Sequence, residues 1–343
     1  MNDPQEQLKG FSAFEMAKGL NKKEFKLILF PTEQCNLRCI YCYEDFDIGK
    51  MPTWLVNATN EFIASKMQHL ESLSLSWFGG EPLLAKDIIF DIAEKAQKLS
   101  QKYNCKVNGD LTTNGILLDI ETLKRLVKLK QNHFQISIDG DEIAHNKTRI
   151  TRNGRGTFNK IWSRLIAASE TTLDFSITVR VHVTDLNQDS VLDFCKRFNN
   201  YLSKDPRFKL FFKAIEDLGG NNKKIVNALI KEKGARKFAE ELTQKYTNNI
   251  TKNESGHYIC YASKPNSLSI RANGSLNKCT VALNDTRNDI GKINPDGTLT
   301  INNQKFSTWI QGFISLDSWQ MGCPLGYMNQ YSNVGDIQVK KIG

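Results

Sequence analysis

The 343-residue sequence predicts an α/β protein: a parallel sheet with helices outside it, then a smaller C-terminal region of short strands and tight turns. Two observations carry that prediction. Between Phe25 and Ile215, strand-length apolar runs alternate regularly with helical patterns. After Gly256 the alternation stops, and Asn273-Gly274 and Asn294-Pro295-Asp296-Gly297 sit between short strand-like runs as hairpin turns. A third observation limits the class, because no uninterrupted apolar run approaches the ~18 residues of a membrane helix.

Residues 1–24 form a polar lead-in with helical character around Phe14 to Leu20 and without the apolar core of a signal peptide. A cytoplasmic location and no membrane partner are therefore expected. Strands are expected at Phe25–Pro31, Leu73–Phe78, 106–112, Phe134–Ile138, 174–183 and Phe208–Ile215. Helices are expected at 53–71, 84–104, 119–130, 157–170 and 188–203. Net charge is +9. Much of that excess lies in Asn221–Lys252, with eight Lys/Arg against three Glu, read as one basic helix with Ile225, Leu229, Phe238 and Leu242 inward. Such a helix is either a solvated charged face or a docking surface for an acidic peptide, and no nucleic-acid motif accompanies it. The expected organisation is a lead-in at 1–24, a sheet-and-helix unit at 25–220, the basic linking helix at 221–252 and the C-terminal unit at 253–343.

Directly after the first strand comes Cys35-Asn36-Leu37-Arg38-Cys39-Ile40-Tyr41-Cys42, a C-x3-C-x2-C loop. Three thiolates so closely spaced suit a soft iron–sulfur cluster and leave one iron with open coordination. A zinc site would need a fourth ligand, and the nearest histidine, His69, lies far along the chain. Unrelated free thiols are the third reading. Further along, Trp77-Phe78-Gly79-Gly80-Glu81-Pro82 follows the second strand, Thr112-Thr113-Asn114-Gly115 the third and Ser137-Ile138-Asp139-Gly140 the fourth. Taken singly, each is ordinary turn chemistry.

Together and in this order, these motifs resemble the radical S-adenosylmethionine (SAM) superfamily. The resemblance implies a partial (β/α)6 barrel with its active site at the C-terminal strand ends. It also implies a [4Fe–4S] cluster on Cys35, Cys39 and Cys42 whose open iron takes SAM. Reductive cleavage of SAM to a 5′-deoxyadenosyl radical would follow, with electrons from a flavodoxin- or ferredoxin-type donor. Tyr41, Gly79, Gly80, Glu81, Asn114, Ser137 and Asp139 are then SAM-site residues, with the Glu81 carboxylate expected to accept from the SAM ammonium. His145-x3-Arg149 and Gly154-x-Gly156-x-Phe158 resemble the peptide-modifying branch. Arg149 and Arg180 are equal candidates for the SAM carboxylate.

The C-terminal pattern Cys260-x13-Gly274-x4-Cys279, followed by Cys323, resembles the start of the SPASM auxiliary-cluster domain in its shortened twitch form. It implies at most one auxiliary [4Fe–4S] cluster, with a fourth ligand from substrate, another side chain or Cys105. The leading expectation is a maturase of ribosomally made precursor peptides, with leader binding by the barrel, the basic helix or a separate protein. Glu216, at the end of the sixth strand, is a candidate catalytic base, because Thr280 occupies the place where sulfatase-maturing relatives carry an Asp. A small-molecule or sulfatase-maturase-type dehydrogenase is the alternative enzyme, and a non-catalytic iron–sulfur regulator the alternative of another class.

Overall fold

The computed structural model describes residues 11–230, 234–246 and 258–331. Six strands, β1 (Glu24–Leu29), β2 (Ser72–Trp77), β3 (Lys106–Thr113), β4 (Gln131–Ile138), β5 (Ser176–Val183) and β6 (Phe208–Ala214), pair in parallel in chain order. A short α1 (Ala13–Gly19) precedes β1, and each crossover holds helix: α2 (Thr53–Met67), α3 (Lys86–Tyr103), α4 (Ile120–Lys128), α5 (Glu142–Thr148) with α6 (Phe158–Ser169), and α7 (Gln188–Tyr201). A parallel pair needs such a long crossover, and helices on the outer face cover it. On β3 and β5, alternate residues are buried, with Val107 and Leu111 and then Ile177, Val179 and Val181 facing the helices. Their neighbours Asp110, Thr112, Arg180 and His182 face the inside of the curve. At β3 and β5 the concave face is therefore polar, whereas on β1 Ile28 and Phe30 pack there with Tyr43, Phe78 and Leu283. No described helix is long and apolar enough to cross a membrane.

β4 starts three residues earlier than its apolar pattern indicates, because Gln131 is wholly buried as the acceptor for the Trp77 indole N–H at 2.7 Å. Gly109 makes room for that amide; a Cβ there would lie 1.7 Å from Gln131 Oε1. The short helix α5 carries little apolar signal and starts on an Asp141 cap to the Ala144 N–H. The single basic helix expected over 221–252 is instead two, α8 (Lys223–Leu229) and α9 (Gly234–Tyr246). Asp185 accepts from the Ala235 N–H at 2.7 Å and so starts a new helix there. The inward residues are Val226, Ala235, Ala239 and Leu242, while Ile225 is exposed. Residues 247–252 of that expected helix lie outside the described residues.

The C-terminal unit does not stand apart from the sheet. β7 (Ser267–Ile270) pairs in parallel with β1, matching Leu29 with Ile270. β8 (Ser275–Asn277), β9 (Gly291–Ile293) and β10 (Leu299–Ile301) continue antiparallel, giving one ten-stranded sheet. Both expected hairpin turns are present. Helices α10 (Asn303–Ser315), α11 (Ser318–Gly322) and α12 (Pro324–Tyr331) close that end.

Candidate active site

The loop after β1 lies across the C-terminal ends of the parallel strands, and its three cysteines line one open cavity. Gly79, Gly80, Asn114, Ser137, Arg149 and Arg180 line the same cavity, brought there from β2, β3, β4, the end of α5 and β5. The two glycines are required by the loop itself. Gly79 has φ +111°, and a Cβ on it would lie 2.2 Å from the Thr32 carbonyl; one on Gly80 would lie 2.5 Å from that of Gln34. The Glu81 N–H donates to the Gln34 carbonyl at 2.9 Å, which seats the cysteine loop on the end of β2.

Two expected SAM-site residues do not face the cavity. Glu81 is fully buried, and its carboxylate accepts from the Leu83 N–H at 3.0 Å, the Asn114 N–H at 2.7 Å and the Thr113 hydroxyl at 2.7 Å. It is a staple between the ends of β2 and β3, buried behind the cavity wall. Asp139 is likewise buried and accepts from Tyr41 at 2.7 Å and Thr148 at 2.5 Å, with His182 Nδ1 at 3.1 Å. Burial pushes its carboxyl upward, but the His182 hydrogen bond and the Arg149 charge hold it well below the usual range.

Tyr41 lines the cavity with its ring, yet its hydroxyl is taken by Asp139 and by Arg149 Nη1 at 2.9 Å. The Tyr41–Asp139–His182–Arg149 network ties the cysteine loop to β4, β5 and α5. His182 belongs to no motif in the sequence; its two-residue spacing from Arg180 on β5 is the available signal for an inward position. Arg149 stands beside Cys39, whose thiolate its charge would favour, and its Nε is buried without a partner. Arg180 also has a buried, unpartnered Nε, with its guanidinium 5.9 Å from the Phe211 ring. Glu216 lines the cavity but pairs with Lys213 at 2.8 Å and Arg236 at 3.0 Å. Those cations outweigh burial and lower its pKa, which makes it a poor proton acceptor.

The donor set fits an iron–sulfur cluster. Burial pushes the Cys35 and Cys42 thiols up to about 12 and raises Cys39, so three thiolates here need a cationic core to hold them. The Leu37 N–H points at Cys35 Sγ at 3.4 Å, and the Asn114 amide lies 3.9 Å from it.

The second cysteine group lies at the other end of the β1 neighbourhood. Cys260 precedes β7, Cys279 follows β8, and Cys323 joins α11 to α12. The Cys260 N–H and the Ser263 hydroxyl both donate to the Met321 carbonyl, at 3.0 and 2.5 Å, drawing the Cys323 segment in. Burial and then the charges of Cys279 and Cys323 push Cys260 up to about 11. Backbone N–H groups point at Cys279 Sγ from Val281 (3.4 Å) and at Cys323 Sγ from Gly326 (3.3 Å). Cys105 is not part of this group; it packs in the helix-facing core with Leu73. Thr280 is committed as well, its hydroxyl 2.8 Å from that of Tyr261 and its carbonyl accepting from Tyr43. A buried bidentate pair, Arg271 with Glu33, joins the first cysteine loop to the end of β7.

Residues 29–198 match the radical SAM superfamily, and this stretch of the chain is a radical SAM domain. Such a domain implies a [4Fe–4S] cluster and SAM. Among curated relatives, a cysteine-type anaerobic sulfatase-maturating enzyme of Clostridium novyi is 24% identical over 208 residues, covering 57% of this chain and 53% of its own. An uncharacterised protein of a Synechocystis strain is 34% identical over 137 residues, covering 38% of this chain and 34% of its own. The chain thus spans about half or less of the length of these relatives. Among solved structures, anSMEcpe with bound AdoMet superimposes with a TM-score of 0.61 at 21% identity, covering 87% of this chain and 88% of the other. SuiB of Streptococcus suis bound to precursor peptide SuiA gives 0.56 at 17% identity, over 83% and 65%. At such identities these likenesses speak for the fold.

Proposed function

We propose that the protein is a radical SAM enzyme that modifies a ribosomally made peptide at an unactivated C–H bond. One observation carries the reading: the three cysteines of the C-x3-C-x2-C loop line a single cavity at the C-terminal strand ends, beside two guanidinium groups with unpartnered Nε atoms. When bound, a reduced [4Fe–4S] cluster and SAM supply a 5′-deoxyadenosyl radical that takes hydrogen from the substrate.

The chain's residues bind and aim. Cys35, Cys39 and Cys42 hold the cluster, and Arg149 places a positive charge next to Cys39. Arg149 or Arg180 takes the SAM carboxylate as a fork. Asn114 and Ser137 offer polar groups to the nucleoside. Phe78, Ile215 and Leu218 on the cavity wall limit water. The peptide reading is supported by solved relatives of this fold bound to peptides and by the polar concave face of β5 and β6. It also accords with the basic surface of α8 and α9. Cys260, Cys279 and Cys323 hold one auxiliary cluster in this reading, and a small acidic redox protein supplies electrons. The dehydrogenase reading of the sulfatase-maturating relatives is weaker, because Thr280 and Glu216 are both engaged and leave that position without a free base.

The test is anaerobic incubation of iron-loaded protein with SAM and dithionite, followed by chromatography for 5′-deoxyadenosine. The wild type should form it, and Cys39→Ala should lose formation by at least about a hundredfold while keeping its helical circular dichroism. Formation undiminished in Cys39→Ala, or none in the wild type, removes the reading. Co-expression with small open reading frames, read as peptide mass shifts, then identifies the substrate.

A further inference from the structure

We infer that the protein holds the phosphate group of a small molecule in a second pocket, at the N-terminal ends of the strands, the far end from the cysteine loop. The inference is independent of the reaction proposed above. The pocket holds about 300 Å³, enough for a small phosphate ester. Its floor is a row of polar side chains across four neighbouring strands. Ser267 of β7 pairs with Lys26 of β1, Lys26 with Ser74 of β2, and Ser74 with Asn108 of β3. Residues in register share a face of the sheet, so the row lines the pocket together. Lys18, from the last turn of α1, and Lys264, from the segment before β7, bring two more side-chain amines to its wall.

Several of these groups have donors to spare. Ser267 is 2% exposed, and its hydroxyl is buried without a hydrogen-bond partner, a costly arrangement unless a ligand satisfies it. Lys26 pairs with Asp110 at 3.1 Å, behind the row. Lys18 and Lys264 have no ion-pair partner among the described residues. Burial and then the like charge of Lys18 lower the Lys264 pKa, against the pull of Glu24 on the rim, so an anion between the two lysines relieves their repulsion. The site is also fixed in place before any ligand arrives. The buried Lys278 Nζ donates to the Lys264 and Ser267 carbonyls at 2.6 Å each, and the Asn266 amide donates to the Asn21 carbonyl at 2.7 Å. Separate lysine and hydroxyl donors suit the several oxygens of a tetrahedral phosphate. A planar carboxylate is matched better by a guanidinium fork, and no arginine lines this pocket among the described residues.

Isothermal titration of the anaerobic, iron-loaded protein at fixed ionic strength tests this with ribose 5-phosphate, inorganic phosphate, ribose and succinate. Both phosphates should bind at one site per chain, and ribose should not bind. Lys18→Gln and Lys264→Gln should each weaken ribose 5-phosphate by about tenfold, the weight of one charge-assisted hydrogen bond. Ser267→Ala should weaken it by about fivefold, the weight of a neutral one, and if that variant fails to fold the two lysine variants decide. Lys124→Gln, which removes a lysine paired with Glu121 on α4, should change nothing. Saturating SAM should leave the titration unaltered, because the active site lies at the other strand ends. No phosphate binding by the wild type, or affinity unchanged in both lysine variants, overturns the inference. So does an equal loss in Lys124→Gln, which would reflect overall charge, or displacement by SAM, which would put the anion in the active site. Succinate bound as tightly as ribose 5-phosphate overturns the assignment to phosphate. The functional reading survives each of these failures, since its own test reads 5′-deoxyadenosine.

Discussion

His145 illustrates how a residue in a familiar pattern acquires its role. It is wholly buried, its Nδ1 accepts from the Asp139 N–H at 3.3 Å, and its Nε2 lies 3.0 Å from the Thr157 hydroxyl. Those contacts fix the β4 end and the start of α6, so the histidine holds the loop that delivers Arg149 and touches no ligand itself. Burial lowers its pKa from 6.5 to about 4, against the pull of Asp139. The unfolded chain therefore takes a proton in the window between these values that the folded chain refuses. Stability falls as pH drops through that window and is unaffected by this group above it, by up to about 1.4 kcal/mol per pH unit. Urea melts at successive pH values should show this slope in the wild type and a flatter one in His145→Gln. Parallel slopes in the two proteins would assign the acid sensitivity elsewhere. Glu81 teaches the same lesson from the opposite side: a motif carboxylate became a staple, and Glu44, outside any recognised motif, was left facing the cavity.

At the scale of elements, the cysteine loop is held on three sides. The end of β2 meets it through Gly79 and Gly80, α5 and β4 through the Tyr41 network, and β7 through the Glu33–Arg271 pair. The last is the most exposed to a single change. Both side chains are nearly inaccessible, at 10% and 5%, so removing one partner strands the other charge in a dry place. Arg271→Met should destabilise the protein by about 3–5 kcal/mol in denaturant melts, and the double variant with Glu33→Gln should recover part of that loss. A double variant that is the sum of the two single ones would mean the pair is not coupled. The basic helix shows a limit of periodicity: its charge pattern reads through, but a cap supplied by Asp185 from another loop divides it.

At the scale of the molecule, the ten-stranded sheet places two cysteine groups on either side of the β1–β7 junction. The C-terminal hairpins extend the barrel sheet rather than forming a separate body, and Tyr43 and Thr280 bridge the two groups. If both groups carry clusters, anaerobically loaded protein should hold about eight irons per chain, falling to about four in the Cys260→Ala, Cys279→Ala double variant. Iron and acid-labile sulfide assays read this directly. An iron content that the double variant leaves unaltered would take the auxiliary cluster out of the account.

The order of strands, the position of the first cysteine loop, the two glycines after β2 and both C-terminal turns were legible in the residues, because periodicity and turn chemistry are local properties of the chain. Spacing alone also marked Cys35, Cys39 and Cys42 as a group. Tertiary structure decided what spacing cannot carry: which carboxylate faces the cavity and which is consumed as a staple, that Asp139 serves Tyr41 and His182, that Cys105 belongs to the core, and that β7 joins β1. Each of these depends on residues tens to hundreds of positions apart meeting in one place, where the number of hydrogen-bond donors and the depth of burial assign the role.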